Sequence, residues 1–166
     1  MYWEPLFETT FVVHIHVVSA TGAFVLGAFI LWRRKGTKLH KALGKVWIVL
    51  MLVVATSALF IHELRLIGPF SPIHIFSIMV YVGVAQGLYY IRRGNVVAHQ
   101  ASMQGLYLGA LILAGAFTFL PTRLMHELFF GPDAGMTESL MVIVPALGLA
   151  GWFWWRLMPK RRRLAG

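Results

Sequence analysis

Seven histidines are the residues of this chain best able to do chemistry, and four of them recur at a regular spacing. His16 precedes His40 by 24 residues, and His74 precedes His99 by 25. Neutral imidazole is a common metal ligand, and two imidazoles can bind the iron of one haem from its two sides. The spacing therefore predicts matched pairs of ligands, if the elements that carry them face each other.

Five apolar segments carry or border these histidines, and each is long enough to cross a hydrocarbon core of ~30 Å as a helix. Hydrophobic residues make up 58% of the 166 residues, charged residues make up 13%, and the mean hydropathy is +0.72, which excludes a water-soluble domain. The segments cover roughly 11–32, 43–62, 73–91, 101–121 and 138–157. We predict an all-α integral membrane protein that forms a single membrane domain over residues 1–166.

Charge predicts how these helices cross the membrane. Thirteen of the fifteen Lys and Arg residues lie in three groups, within 33–45, at 92 and 93, and within 156–163, whereas all six acidic residues lie on the opposite side. Because short cytoplasmic loops retain Lys and Arg, we expect the N-terminus outside and the C-terminus in the cytoplasm. The sequence pI of about 10.5 then reflects topology, with the lipid bilayer as partner and no nucleic acid.

An internal repeat groups four of the helices. The segment WRRKGTKLHKALGK resembles IRRGNVVAHQASMQ, since each has a basic pair, a glycine, a candidate N-cap (Thr37 or Asn95) and a histidine one turn later. We predict that helices 1 to 4 are two tandem helical hairpins forming a four-helix bundle, with a fifth C-terminal helix outside the repeat. His16 and His74 would then form an outer layer, with His40 and His99 in an inner one.

The paired histidines favour bis-histidine ligation of b-type haem between helices of the bundle. Small residues continue the His16 face as Ala20, Ala23 and Gly27, which would leave room for a flat macrocycle. The same pattern is typical of close helix packing in lipid, and interfacial histidines beside Lys and Arg also suit lipid phosphates. His16 points more strongly to function, because ionisable residues at membrane depth are costly.

A second cluster at the outer rim suits a divalent metal, since imidazole and carboxylate both bind Zn²⁺, Mn²⁺ and non-haem iron. Its members are His14, His62, Glu63, His126 and Glu127. The sequence has no HExxH motif there, and ion pairs with Arg65 or Arg123 explain the acids equally well.

The absence of cysteine excludes disulfides, thiolate catalysis, iron–sulfur clusters and covalent c-type haem. All six tryptophans lie near predicted helix ends, where they would anchor at the interface.

The motifs KGTKLHKALGKVW, SPIHIFS, HQASMQGLY and AGAFTFLPTR, with His16 before them, resemble a bacterial family of predicted multi-spanning membrane proteins known only as a domain of unknown function. The resemblance covers roughly residues 11–130. The chain departs at Gln100, where a basic residue is expected, and at Thr122, where glycine is common. The arrangement is also similar to the four-helix core of di-haem transmembrane cytochromes b. That likeness implies one haem between His16 and His74, and another between His40 and His99.

Three functions follow from these patterns. The first is a bacterial inner-membrane electron-transfer module with haem b, working with quinone or another membrane redox subunit. The second is a cofactor-free accessory or scaffold subunit of a larger membrane complex, which docks through the fifth helix. The third is a metal-binding or transport protein that uses the outer His and Glu cluster.

Overall fold

The computed structural model describes residues 2, 4–61 and 72–157, and every regular element within these ranges is helical. Five helical spans are long and apolar enough to cross a membrane, so the protein is a multi-pass membrane protein. In chain order these spans are Phe11–Trp32, Lys38–Ala58, Pro72–Arg92, a composite of Val96–Gly105, Leu106–Leu113 and Ala114–Phe117, and Met136–Leu157. Two short helices, Glu4–Phe7 and Leu124–Phe130, lie outside the spans.

The predicted boundaries of the second and fourth spans are wrong by about one turn, because both helices begin at their caps and not at the apolar run. The Oγ1 atom of Thr37 accepts the backbone N–H of His40 at 3.1 Å, and the Oδ1 atom of Asn95 accepts that of Ala98 at 3.0 Å. Each bond satisfies a donor that the first helical turn leaves free. Both predicted N-caps are confirmed, and the first turn of each helix is firmly placed.

A glycine immediately before each cap reverses the chain. Gly36 has a φ of 83° and Gly94 a φ of 73°, in the left-handed region that side chains with a Cβ rarely adopt. The two turns thus share conformation as well as sequence. His40 and His99 therefore occupy corresponding positions, each in the first turn of the helix that follows its glycine.

The first four spans pack in chain order. The first span packs along the second, the third along the fourth, and the second against the third. The middle of the fourth span also contacts the first, third and fifth spans. The buried core lies mainly on the second, third and fourth spans, and bulky apolar side chains cover the outside, where lipid would contact them.

The middle of the fourth span, Leu106–Leu113, is π-helical, which the sequence did not predict. This is long for a π-helix, which usually occurs as a single turn inside an α-helix. Its wider turns bury Leu106, Tyr107, Leu108 and Leu111. The altered register aims Tyr107 at the first span.

The connection between the fourth and fifth spans contains the short helix Leu124–Phe130. Just before that helix, Thr122 has a φ of 68°. A β-branched residue is strained in this conformation, whereas glycine adopts it freely. Glycine would therefore suit this position better than threonine.

Two aromatic donors join three spans at one level of the bundle. The Nε1–H of Trp47, on the second span, donates to the carbonyl oxygen of Ala23 at 2.9 Å. The hydroxyl of Tyr107, on the fourth span, donates to the adjacent carbonyl of Phe24 at 3.2 Å. Both side chains cross Gly27, where a Cβ would lie 2.6 Å from Tyr107 Cδ2 and 2.7 Å from Trp47 Nε1. Glycine is therefore required here by the close approach of two rings.

We expect Gly27→Ala to destabilise the protein by ~1–3 kcal/mol, because the added methyl group must displace two hydrogen-bonded aromatic side chains. Thermal unfolding in detergent, followed by far-UV circular dichroism, measures the change. Gly148→Ala is the matched control, because a Cβ there has no atom within 4 Å. A Gly27→Ala protein as stable as the control would contradict this packing.

Candidate functional site

A cavity of about 370 Å³ lies among the first four spans, at the end of the bundle where the second and fourth spans begin. We call it the histidine cavity, because His40 and His99 both line it. Trp47, Tyr107 and Gly27 also contribute to its wall, and the lining is mostly apolar. Its volume falls within the range of small-molecule and cofactor sites, ~300–1,000 Å³. The structure therefore brings the predicted inner pair of histidines to one cavity.

His99 is held in one orientation by the third span. Its Nδ1–H donates to the carbonyl oxygen of Gly87 at 2.8 Å. Because a carbonyl can only accept, this bond places the proton of a neutral ring on Nδ1 and leaves a lone pair on Nε2. Histidines that bind metals usually donate their other ring N–H in this way, which fixes both tautomer and ring angle.

His40 is the corresponding residue of the other hairpin, and its Nδ1 atom has no such hydrogen bond. Its Nδ1 atom is buried and has no hydrogen-bond partner among the residues that the structure describes. Its ring lines the same cavity as that of His99. A buried ring nitrogen without a partner is costly, and a ligand that bonds to this nitrogen would offset that cost.

Polar side chains surround the apolar wall of the histidine cavity. Lys35, Lys41 and Lys45 line it, as do Gln100 and Gln104. The three lysines are exposed, and Lys35 also donates to the carbonyl of Leu31 at 3.4 Å. Gln100, at which the chain departs from the expected motif, therefore lies in the cavity wall. The arrangement combines an apolar interior with three cations.

The predicted outer pair lies at the other end of the second span. His16 Nδ1–H donates to the carbonyl of Val54 at 3.1 Å and lies 3.0 Å from Ser57 Oγ. His74 Nε2 lies 3.3 Å from the carbonyl of Leu59. Val54 is fourteen residues beyond His40, so ~21 Å separates the two histidine layers along this helix. Both outer rings are thus placed by the backbone of the second span.

The small residues that follow His16 have a packing role. Ala23 is fully buried and Gly27 is buried too, but the side chains of Trp47 and Tyr107 fill the space beside them. These contacts favour close helix packing as the role of the small-residue face. At this level of the bundle, aromatic side chains occupy the room that a macrocycle would need.

The described members of the outer cluster make separate contacts. His14 Nε2–H donates to the carbonyl of Leu6 at 2.8 Å. His62 and Glu63 lie outside the described residues. Within residues 4–61 and 72–157, no group of three or more His, Asp or Glu side chains is arranged to hold a metal ion. A metal site here stays a prediction.

His126 ties three segments together. Its ring is 1% exposed, with Nδ1 lying 3.0 Å from Ser139 Oγ and 3.1 Å from the carbonyl of Phe119, and Nε2 lying 3.0 Å from the carbonyl of Ala134. A neutral ring makes two of these three bonds when Nε2–H donates to Ala134 and Nδ1 accepts from Ser139, and the Phe119 carbonyl is then a close contact only. His126 therefore joins the end of the fourth span to the start of the fifth.

Two contributors to the cavity were missed by sequence reasoning. Trp47 was predicted to be an interfacial anchor, but it is 5% exposed and its indole N–H is bonded inside the bundle. Tyr107 was not singled out at all. Their positions carried a signal, since Trp47 follows His40 by seven residues and Tyr107 follows His99 by eight.

Comparison with known proteins identifies the family. The family model described as "Predicted membrane protein (DUF2306)" matches residues 13–154. The chain therefore belongs to this family of membrane proteins. No curated protein and no solved structure matches it.

We expect His126→Ala to lower the free energy of unfolding by ~1–3 kcal/mol, because it leaves buried carbonyl and hydroxyl groups without a partner. Chemical unfolding monitored by tryptophan fluorescence measures this loss. His14→Ala is the control, because that half-buried ring has its backbone bond at the edge of the bundle. Equal stabilities for the two variants would show that His126 is not a structural tie.

Proposed function

We propose that the protein is a membrane electron-transfer module that binds b-type haem between His40 and His99. The observation that carries the proposal is the histidine cavity, in which two imidazoles from corresponding positions share one apolar site. Two protein ligands suffice for haem, since the porphyrin supplies the other four nitrogens. A pair of histidines without further metal-binding side chains therefore suits haem better than a free metal ion.

Each part of the cavity would have a definite task toward haem. His99 would bind through Nε2, because its Nδ1–H is already committed to Gly87. His40 would be the second protein group that holds the iron, and the apolar wall would exclude water from the macrocycle. When bound, haem supplies reversible one-electron chemistry, while the protein sets its potential through axial ligands and burial.

The predicted topology indicates at which side of the membrane electrons would be exchanged. If the clustered cations lie in the cytoplasm, the histidine cavity opens at the inner side of a bacterial inner membrane. Quinone or another membrane redox subunit would then exchange electrons with this haem. A second haem between His16 and His74 remains a prediction, and its position ~21 Å away would extend the path toward the outer face.

The absorption spectrum of the purified full-length protein tests the haem proposal. We expect a sharp Soret band and, after dithionite reduction, a narrow α-band typical of bis-histidine haem. His40→Ala and His99→Ala should each abolish this low-spin spectrum, because each removes an axial ligand. Added imidazole should restore it in the His99→Ala protein, by occupying the vacated ligand position.

Two controls make the result specific. His14→Ala should leave the spectrum unchanged, because His14 bonds to Leu6 far from the cavity. Circular dichroism should show equal helix content in all variants. A folded but colourless protein from haem-replete cells, or a low-spin spectrum that survives both cavity substitutions, would refute haem binding at His40 and His99.

An accessory-subunit function is supported by a different observation. The fifth span is the least buried of the five, and Trp152, Trp154 and Trp155 on it are exposed. Aromatic side chains of this kind suit a contact with another membrane subunit as well as with lipid. Gentle extraction should then recover a stoichiometric larger partner, which Trp154→Ala/Trp155→Ala would release. Recovery of the wild-type protein as a stable monomer without any partner would contradict this function.

A further inference from the structure

We propose that Lys35, Lys41 and Lys45 bind the two propionate carboxylates of the haem, so that the macrocycle enters the histidine cavity with its carboxylate edge toward the open end. The inference rests on the proposed haem binding and adds the residues that recognise the ligand's charged end. The apolar edge of the macrocycle would then face Trp47 and Tyr107.

The first support is the division of the cavity wall by chemistry. Trp47 and Tyr107 are buried and bonded to the first span, so they close the deep end with apolar surface. Lys35, Lys41 and Lys45 are exposed, so their ammonium groups belong to the open end. Haem has the same division, with a flat apolar body and two carboxylates on one edge. The cavity and this ligand therefore match when the carboxylate edge faces the open end.

The second support is that only part of the basic segment lines the cavity. Six Lys and Arg residues lie between positions 33 and 45, but only Lys35, Lys41 and Lys45 line the cavity. Lys41 and Lys45 are four residues apart on one helix, so they share a face. The remaining basic residues do not line the cavity, and the topology accounts for their charge; they are Arg33, Arg34 and Lys38.

The third support is the lack of competing carboxylates. No Asp or Glu side chain contributes to the cavity lining. The sequence has no acidic residue between Glu8 and Glu63, so the basic segment contains no acid of its own. Three cations around an apolar cavity are therefore complementary to an incoming dianion, and Lys is suited to this as a mobile point charge.

Titration of the full-length apoprotein in phosphatidylcholine nanodiscs tests the inference. The probes are haem b and its dimethyl ester, which has the same iron and macrocycle but no carboxylates. We expect the wild-type protein to bind haem more tightly than the ester, as measured by the Soret change. An exposed charge pair contributes about 1.4- to fivefold in affinity, so K35Q/K41Q/K45Q should weaken haem binding by about tenfold.

The ester and a matched control separate carboxylate recognition from general effects. K35Q/K41Q/K45Q should bind the ester as the wild type does, because the ester has no charge for these lysines to neutralise. R33Q/R34Q/K38Q removes the same number of charges from the same segment outside the cavity, and it should leave haem affinity within about twofold of wild type.

The outcomes distinguish this inference from the proposed function. Equal wild-type affinities for haem and ester, with an unchanged affinity in K35Q/K41Q/K45Q, would overturn the lysine assignment while the histidine-dependent spectrum stands. An equal loss for haem and ester in that variant would show that the lysines hold lipid phosphates or the fold, which also overturns it. If neither porphyrin gives a low-spin spectrum with wild-type protein, the haem proposal fails and this inference fails with it.

Discussion

The hydrogen bonds from Trp47 and Tyr107 to two adjacent carbonyls of the first span are the contacts on which the rest of the bundle depends. In lipid, helices gain nothing from hydrophobic burial against one another, so packing and such polar contacts must hold them together. Gly27 permits the approach because a side chain there would displace both rings. Three spans are thereby fixed at one level, and the aromatic rings close one end of the histidine cavity.

The cavity results from this closure together with the turns at Gly36 and Gly94. Each turn leads into a capped helix whose first turn carries a histidine, so backbone geometry places His40 and His99 in the wall of one cavity. The bond from His99 to Gly87 then fixes one ring, whereas His40 keeps a buried nitrogen without a described partner. Such a site is organised at His99, and at His40 it leaves a ring nitrogen that a bound ligand would engage.

The membrane class, five spans and both N-caps could be predicted from sequence, because apolar length and capping chemistry are local properties. The π-helical turn at Leu106–Leu113 could not, since no local signal marks where a helix widens to bury an aromatic ring. Trp47 was wrongly placed at the interface because composition does not show which face of a helix is covered. The matched spacing indicated His40 and His99 as a pair, but their shared cavity depends on how four spans pack.

An experimental density map of the haem-supplemented protein, with anomalous scattering recorded at the iron edge, would locate any haem iron in the bundle. We expect one iron peak within ligand distance of both His40 and His99, in the cavity lined by Trp47 and Tyr107. A second peak beside His16 and His74 would add the outer site without altering this result. Lipid or empty space between His40 and His99, in protein that carries its iron elsewhere, would rule out haem binding at this pair.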